Sequence, residues 1–247
     1  MSKINLYIDC TNGISGDMLC QCLTDLCDNK SFVEEQQQLV SDELQHESQH
    51  PGSHEHEHSQ GHSHAQVYTH RSFQSLLALL GDSQLNDDVK AMTLKIYTIL
   101  AAAEAEVHGE TLETVHFHEV GRPQAIINMV GIAAALNTIN PRHVYCSKVM
   151  DGTGMVTCAH GEISVPVPAV KALMSRSQLI FGTKGIKMEM VTPTGLAALL
   201  AMEPTHIDGD FVDEVIVKST VAIGAKHAKN TRYCKGLKGF LLKDLTE

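Results

Sequence analysis

The chain has 247 residues, a 43 % apolar share and a formal charge of −10, from 29 acidic against 19 basic side chains. That length accommodates one large domain or two smaller ones. The negative field repels phosphate polyanions, which argues against nucleic acid or an anionic membrane surface as partner, while a small anion can still bind locally. Trp is absent and large aromatics are scarce, so the core has to come from Ala, Leu, Val, Ile and Met, a palette that suits helices packed on a sheet.

The first segment, "INLYID" (4–9), alternates and is rich in β-formers, so it predicts a strand and not a signal peptide. No apolar run approaches the roughly 18 residues of a membrane span. With an odd count of seven cysteines, these features predict a cytoplasmic protein with reduced thiols. "CTNGISGD" turns on two glycines into a helix from about Met18 to Asp28. On that helix Cys20 and Cys27 share a face while Cys22 points elsewhere, so the trio "CQCLTDLC" reads as small buried hydrophobes more readily than as a metal cluster. "SFVEEQQQLVSDELQ" (31–45) has a Ser cap and helical spacing.

Residues 46–70, "HESQHPGSHEHEHSQGHSHAQVYTH", hold eight of the fifteen histidines and almost no apolar side chain. Such a segment buries too little surface to offset its ordering entropy, which predicts a disordered loop inserted between residues 1–45 and 71–247 of one α/β domain. His54, His56, His58, His62 and His64 present imidazoles that suit Ni²⁺ or Zn²⁺, but their spacing fixes no geometry; the expectation is labile collection of metal, weakening below about pH 6 as protons compete.

Structure resumes at "RSFQSLLALLGDS" and runs into the longest predicted helix, Asp87 to His108, closed by Gly109. A short strand or extended turn, "ETVHFHEV", precedes a proline-initiated helix, "PQAIINMVGIAAALNTI". "HVYCSKVM" and "MVTCAHGEISV" read as strands joined by an Asp151-Gly152 hairpin. Prolines 166 and 168 start "AVKALMS", "TPTGLAALLAM" is another proline-led helix, and "FVDEVIVKSTVAIG" and "GFLLKDL" supply closing strands. Strands alternating with helices predict an α/β fold, helices packed on a mixed β-sheet.

Three short phrases can carry chemistry. In "VHFHEVG" an extended backbone turns His116 and His118 the same way, with Cα atoms about 6.6 Å apart, close enough to share a first-row metal or to act in acid–base chemistry, with Glu119 alongside. Two histidines satisfied by backbone carbonyls at a strand end explain the same phrase. In "DCTNGISGDM", Asp9, the Gly13 and Gly16 turn, Ser15 and Asp17 make a plausible seat for a phosphate and a hard cation, or simply a tight turn with a capping acid. In "VTPTG", Thr192 and Thr194 offer hydroxyls at a helix start, for an anion or for the cap itself. His160, in "CAHGEISVP", stands alone.

In order, "LYIDCTNGISGDML", "AEAEVHGETLETVHFHEVG", "VYCSKVMDGTGMVTCAHGEISVPVPAV" and "VTPTGLAALLAM" resemble the LarC family of nickel insertion proteins, from residue 4 to about residue 202. The resemblance implies a nickel chelatase, a CTP-dependent lyase that uses Mn²⁺ or Mg²⁺. Its Ni²⁺ enters a pyridinium bis-thiocarboxylate mononucleotide with formation of a carbon–metal bond, completing the nickel-pincer cofactor of lactate racemase. It implies a His-rich loop where residues 46–70 lie, and catalytic or metal roles for His116, His118, Glu119 and Asp17, with His160 nearby. Asp9, Gly13, Ser15, Gly16, Thr192 and Thr194 would face the ligand.

Three departures from the family pattern stand out. Where the family carries Asp-x-Ile-x-Asp-Ile after "HEVG", this chain has Gln124 and Asn128, one helical turn apart. A strand pair common before the His-rich tract is missing. Longer members also carry a C-terminal domain associated with CTP, so the resemblance implies a separate domain of that kind as partner, beside lactate racemase pathway proteins, and leaves room for a homo-oligomer. The alternative is a non-catalytic nickel metallochaperone or storage subunit, favoured by Gln124 and Asn128. A zinc hydrolase fits less well because no nucleophile–base arrangement is visible.

Overall fold

The alternating first segment forms β1 (Ile4–Asp9), and its neighbours define a mixed sheet at the centre of the molecule. The computed structural model describes residues 4–49, 71–158, 161–209, 211, 213–225 and 235–244. After β1 come α1 (Gly16–Leu26), α2 (Lys30–Gln49), β2 (Arg71–Ser72), α3 (Phe73–Asp82), α4 (Asp87–His108), β3 (His116–Phe117) and α5 (Pro123–Ile139). The second half holds β4 (Val144–Cys146), β5 (Val149–Thr153), β6 (Met155–Cys158), β7 (Gly161–Ser164), α6 (Pro168–Ser175), β8 (Phe181–Lys187) and α7 (Pro193–Ala201). It closes with β9 (Thr205–His206), β10 (Ile216–Ala222) and β11 (Leu237–Lys243).

Five strands lie in the order β10-β11-β1-β4-β9, with β1 parallel to β4 and antiparallel to β11. One face of the sheet is covered by α1, where the Cys22 thiol and Leu26 press against Gly239 of β11. On the other, the Tyr7 ring meets Phe211 edge-on at 4.7 Å. Behind α1 sits α5, buried without a break from Met129 to Leu136 and in contact with α1, α2, α4 and α7. A helix centre with no polar face belongs inside a helical layer, and its run of alanines lets four neighbours approach. The fold is therefore α/β, with the seven α-helices of the described residues packed against a mixed sheet.

Most predicted elements fall where the periodicity puts them. The longest helix spans Asp87–His108 and ends on Gly109 in the left-handed conformation; Pro123 opens α5. Cys20, Cys22 and Cys27 are all buried free thiols, and burial pushes Cys20 up to about 11 and Cys22 up to about 12. They fill space as small hydrophobes.

Three readings change. The first helix starts at Gly16, two residues before Met18, and ends at Leu26. The second runs to Gln49, so the first residues of the histidine-rich stretch are helical, and its remainder lies outside the described residues. Asp151 and Gly152 form no hairpin: both sit inside β5, paired in parallel with β8, while the hairpin is made by β6 and β7. The Asp151 carboxylate is spent on a tertiary role, accepting hydrogen bonds from the backbone N–H groups of Gly152 (2.7 Å), Met190 (2.9 Å) and Val191 (3.0 Å). Gly152 is needed because a Cβ there would overlap the Met188 carbonyl.

Candidate functional site

The turn after β1 and the turn before α7 are locked together. Ile14 N–H donates to the Met190 carbonyl (2.9 Å) and Thr192 N–H donates to the Ile14 carbonyl (3.0 Å). Gly13 takes φ +85° with its Cα against the Met190 carbonyl, and a Cβ on Gly195 would lie 2.7 Å from the Ser15 Cα. Sequence-distant helix starts thus abut. Thr192 caps α7 by accepting from Gly195 N–H (3.2 Å), and its hydroxyl is 3.0 Å from that of Thr194. At the start of α1, Ser15 Oγ donates to Asp17 Oδ1, and Ala225 N–H donates to Asp17 Oδ2 (2.9 Å). Burial pushes the Asp17 carboxyl up, but hydrogen bonds from Ser15, Ala225 and Met18 outweigh it and hold the group below its ordinary range.

Asp9 ends β1 with its carboxylate engaged by the Thr11 hydroxyl (2.6 Å), Thr11 N–H (3.0 Å) and Lys238 Nζ (3.5 Å). Asp151, 1 % exposed, underlies the Met190–Val191 turn; burial raises its carboxyl above the ordinary range despite three backbone donors, and its Oδ2 meets no partner among the described residues.

Beside this joint opens a cavity of about 700 Å³, within the size range of small-molecule sites. Its wall is the end of α4 (Glu104, Val107, His108), the chain after β3 (His118, Glu119, Val120), the β6–β7 hairpin (Met155, Val156, Thr157, Ile163), the start of α6, and Lys187, Met188, Glu189 and Pro193. The local sequence builds it in steps. Gly109 ends α4, and Val115 N–H donating to the Thr111 carbonyl (2.9 Å) turns the chain back. Tyr97 on α4 then donates its hydroxyl to the Val120 carbonyl (3.1 Å) while its ring packs 5.7 Å from Phe117. Phe117 is the buried anchor, so the residues on either side of it are presented at the surface of α4.

His118 and Glu119 line the cavity and Pro193, between Thr192 and Thr194, is on its rim. His116 is exposed and pairs with Ser72 of β2, outside the residues that line the cavity. Asp9, Gly13, Ser15, Gly16 and Asp17 lie on the joint behind it. His54, His56, His58, His62, His64 and His160 lie outside the described residues. Glu104, His108, Lys187 and Glu189 went unnoticed in the sequence; the only local signal was the Glu104/His108 spacing of one helical turn, which does not reveal the reversal that faces them to His118. Gln124 donates from Nε2 to Asn128 Oδ1 (3.1 Å), the two amides closing on each other along α5.

The α/β scaffold thus sets two abutting helix starts beside a cavity lined by imidazoles, carboxylates and a lysine. No helix among the described residues is long and apolar enough to cross a membrane. The chain belongs to the nickel insertion protein family, whose sequence model matches residues 6–241. It is 36 % identical over 220 residues to the pyridinium-3,5-bisthiocarboxylic acid mononucleotide nickel insertion protein of Acetivibrio thermocellus, covering 78 % of this chain and 50 % of that one. The protein of the same name in Alkaliphilus metalliredigens is 32 % identical over 220 residues, 80 % and 52 % of the two chains. A relative in Synechococcus elongatus is 37 % identical over 202 residues, 79 % and 50 %. The chain spans about half the length of these curated relatives. No solved structure matches it.

Proposed function

We propose that this chain is the nickel-handling part of a nickel insertion system that metallates a pyridinium bis-thiocarboxylate mononucleotide, the precursor of the lactate racemase cofactor. The observation that carries the reading is the cavity bearing His118 and Glu119 together, in a chain of the nickel insertion family. An apolar wall of Val156, Ile163 and Met188 suits the face of a planar ring, and Lys187 can neutralise a carboxylate or phosphate. Thr192 and Thr194 at the neighbouring helix start extend the polar side toward a phosphate. Ni²⁺ is cargo: imidazole holds it, and softer thiocarboxylate sulfur withdraws it. Glu119, which lines the cavity and lies 3.7 Å from Arg122, would take the proton that the ring loses when its carbon takes the metal.

The entry route is supported by strand pairing. The His-rich stretch re-enters the described structure at β2, and β2 pairs directly with β3, which places exposed His116 at the foot of that stretch. Imidazoles of the stretch would collect Ni²⁺, His116 would relay it and His118 receive it, in a cytoplasmic setting. Mn²⁺ or Mg²⁺ with CTP fits the described residues poorly. A hard cation needs free oxygen donors, yet Asp9 and Asp17 are both engaged and the Gln124–Asn128 pair is uncharged. We therefore assign CTP and its cation to a separate C-terminal domain.

The test is to incubate the chain with the metal-free precursor, NiCl₂ and CTP, with and without that separate domain. Metallated product forms only in the complete mixture if the reading holds, and no product in either mixture would end it. The self-paired amides on α5 favour one second reading, a nickel metallochaperone without turnover, for which the chain would speed loading of another inserting protein while forming no product itself. Removing residues 51–68 should lower bound nickel to about one ion per chain with unchanged thermal melting, because Arg71 and Glu47 clasp the two ends of the excised segment at 2.5 and 3.1 Å.

A further inference from the structure

Carboxylates reach the cavity from two walls, its lysine from one. Glu104 and Glu119 come from the end of α4 and the chain after β3, and Glu189 from the chain after β8. Lys187, the last residue of β8, is the one lysine or arginine among the described residues that line the cavity. We infer that Lys187 seats the substrate phosphate and thereby sets the direction in which a pyridinium mononucleotide lies in the site. The subsite rests on the function proposed above for its substrate, and adds the direction of binding.

Lys187 is placed to meet a ligand and not to pair within the chain. It lies opposite Thr153 of β5 in the parallel ladder, and a Cβ on Gly154, at the root of the β6–β7 hairpin, would lie 3.7 Å from the Lys187 Cβ. This neighbour fixes the base of the side chain, while the residue stays exposed. Among the described residues its ammonium makes no hydrogen bond or ion pair, even with Glu189 two residues on. Lysines elsewhere on the surface do find oxygen: Lys90 holds the Gly81 and Ser83 carbonyls, Lys184 holds Asn12, and Lys218 holds Asp28. An ammonium without an internal partner keeps its charge for a ligand, and lysine meets phosphate as a point charge.

The shape of the substrate turns that single charge into a direction. In a pyridinium bis-thiocarboxylate mononucleotide the ribose phosphate hangs from the ring nitrogen. The carbon between the two thiocarboxylates lies straight across the ring from it. The anchoring group and the carbon that takes nickel are therefore at opposite ends of the molecule. With the phosphate on Lys187, the ring lies along Val156, Ile163 and Met188, and its reacting carbon is directed to His118 and Glu119. The reverse direction sets the phosphate dianion against Glu104 and Glu119, like charges with no lysine or arginine of the lining beside them. Thr192 and Thr194 can add hydrogen bonds at the phosphate end but no charge, and their hydroxyls already lie 3.0 Å from each other.

The experiment titrates the full chain with three probes, followed by ligand-observed NMR: nicotinic acid mononucleotide, nicotinamide mononucleotide and nicotinic acid riboside. The first two carry the phosphate, and the second has no ring carboxylate. Wild type should bind both mononucleotides about tenfold more tightly than the riboside, the weight of one charge-assisted contact. Lys187→Ala should erase that preference and leave riboside binding unchanged, and Lys187→Arg should restore it. In the insertion assay Lys187→Ala should raise KM for the precursor with kcat little changed. Thermal melting confirms that substitution of this exposed residue leaves the fold intact. Three results overturn the subsite: a wild type that does not favour the mononucleotides, a preference retained in Lys187→Ala, or a loss confined to the two probes with a ring carboxylate. The last would mean that Lys187 reads the other end of the substrate. Failure of the subsite and failure of the function are distinct. Product formed by Lys187→Ala at the wild-type KM removes the subsite and keeps the function, whereas phosphate discrimination through Lys187 without product in the complete mixture does the reverse.

Discussion

The joint between the helix starts and the cavity next to it are built on opposite plans. In the joint, backbone touches backbone, and almost every polar atom has an internal partner: Asp17 with Ser15 and Ala225, Thr192 with Gly195, and Asp151 with three N–H groups through one oxygen. In the cavity, elements approach through side chains, and imidazoles, carboxylates and a lysine line an open volume. The difference teaches that residues which look ligand-like in a sequence divide into two kinds. One kind builds the frame, and the other lines the space the frame keeps open.

Breaking the frame should have the largest effect. Gly13→Ala forces a Cβ onto a residue at φ +85° and into the Met190 carbonyl, a backbone atom that cannot rotate away. Left-handed strain of about 1–2 kcal/mol adds to that overlap, so a loss of about 3 kcal/mol or more in urea unfolding is expected. An equally stable variant would mean that the two turns are not fused.

Asp17→Asn should cost about 1 kcal/mol at neutral pH, the scale of one lost charge-assisted hydrogen bond at a partly exposed helix start. Because the folded carboxyl is held below its ordinary range, its stabilisation is present above that range and fades as the pH falls through the lowered value. Wild type and variant should therefore converge in acid. Asp151 has the opposite sign. Its folded carboxyl is raised, so its contribution is full in acid and is lost as the pH rises through the raised value. Stability measured from acid to neutral pH should move in favour of Asp151→Asn. Parallel pH curves for the two variants would show that the two acids do not sit in contrasting environments.

Much of the frame was legible in the sequence because it is local. The caps at Gly109 and Pro123, the periodicity of 87–108 and the alternation of 4–9 each depend on neighbours within a turn or a strand. The functional phrases were legible as phrases, but their division was not. Asp17 and Glu119 are both acids beside glycine turns, and only the packing of residue 225 against one and a cavity against the other tells them apart. Asp151-Gly152 carries the hairpin dipeptide signal, yet the parallel strand β8 claims it. The ring contact between His108 and His118 was invisible for the same reason, since it is set by the reversal of the chain and not by spacing.

The smallest effect sharpens the comparison at its border. Gln124 and Asn128 lie one turn apart on α5 and satisfy each other, so this stretch of helix behaves as frame although it sits just after the cavity residues His118 and Glu119. Changing both to aspartate puts two like charges at i and i+4, which costs about 0.2–0.5 kcal/mol. The same change supplies four carboxylate oxygens, the donor type a hard cation takes. Mn²⁺ titrated by calorimetry should then bind the double variant and raise its melting temperature above that of the metal-free variant, with no such rise in the wild type. A double variant that gains no Mn²⁺ binding would mean that the backbone here does not hold the two side chains for a shared ion, and that more than two lost charges separates this surface from the working space next to it.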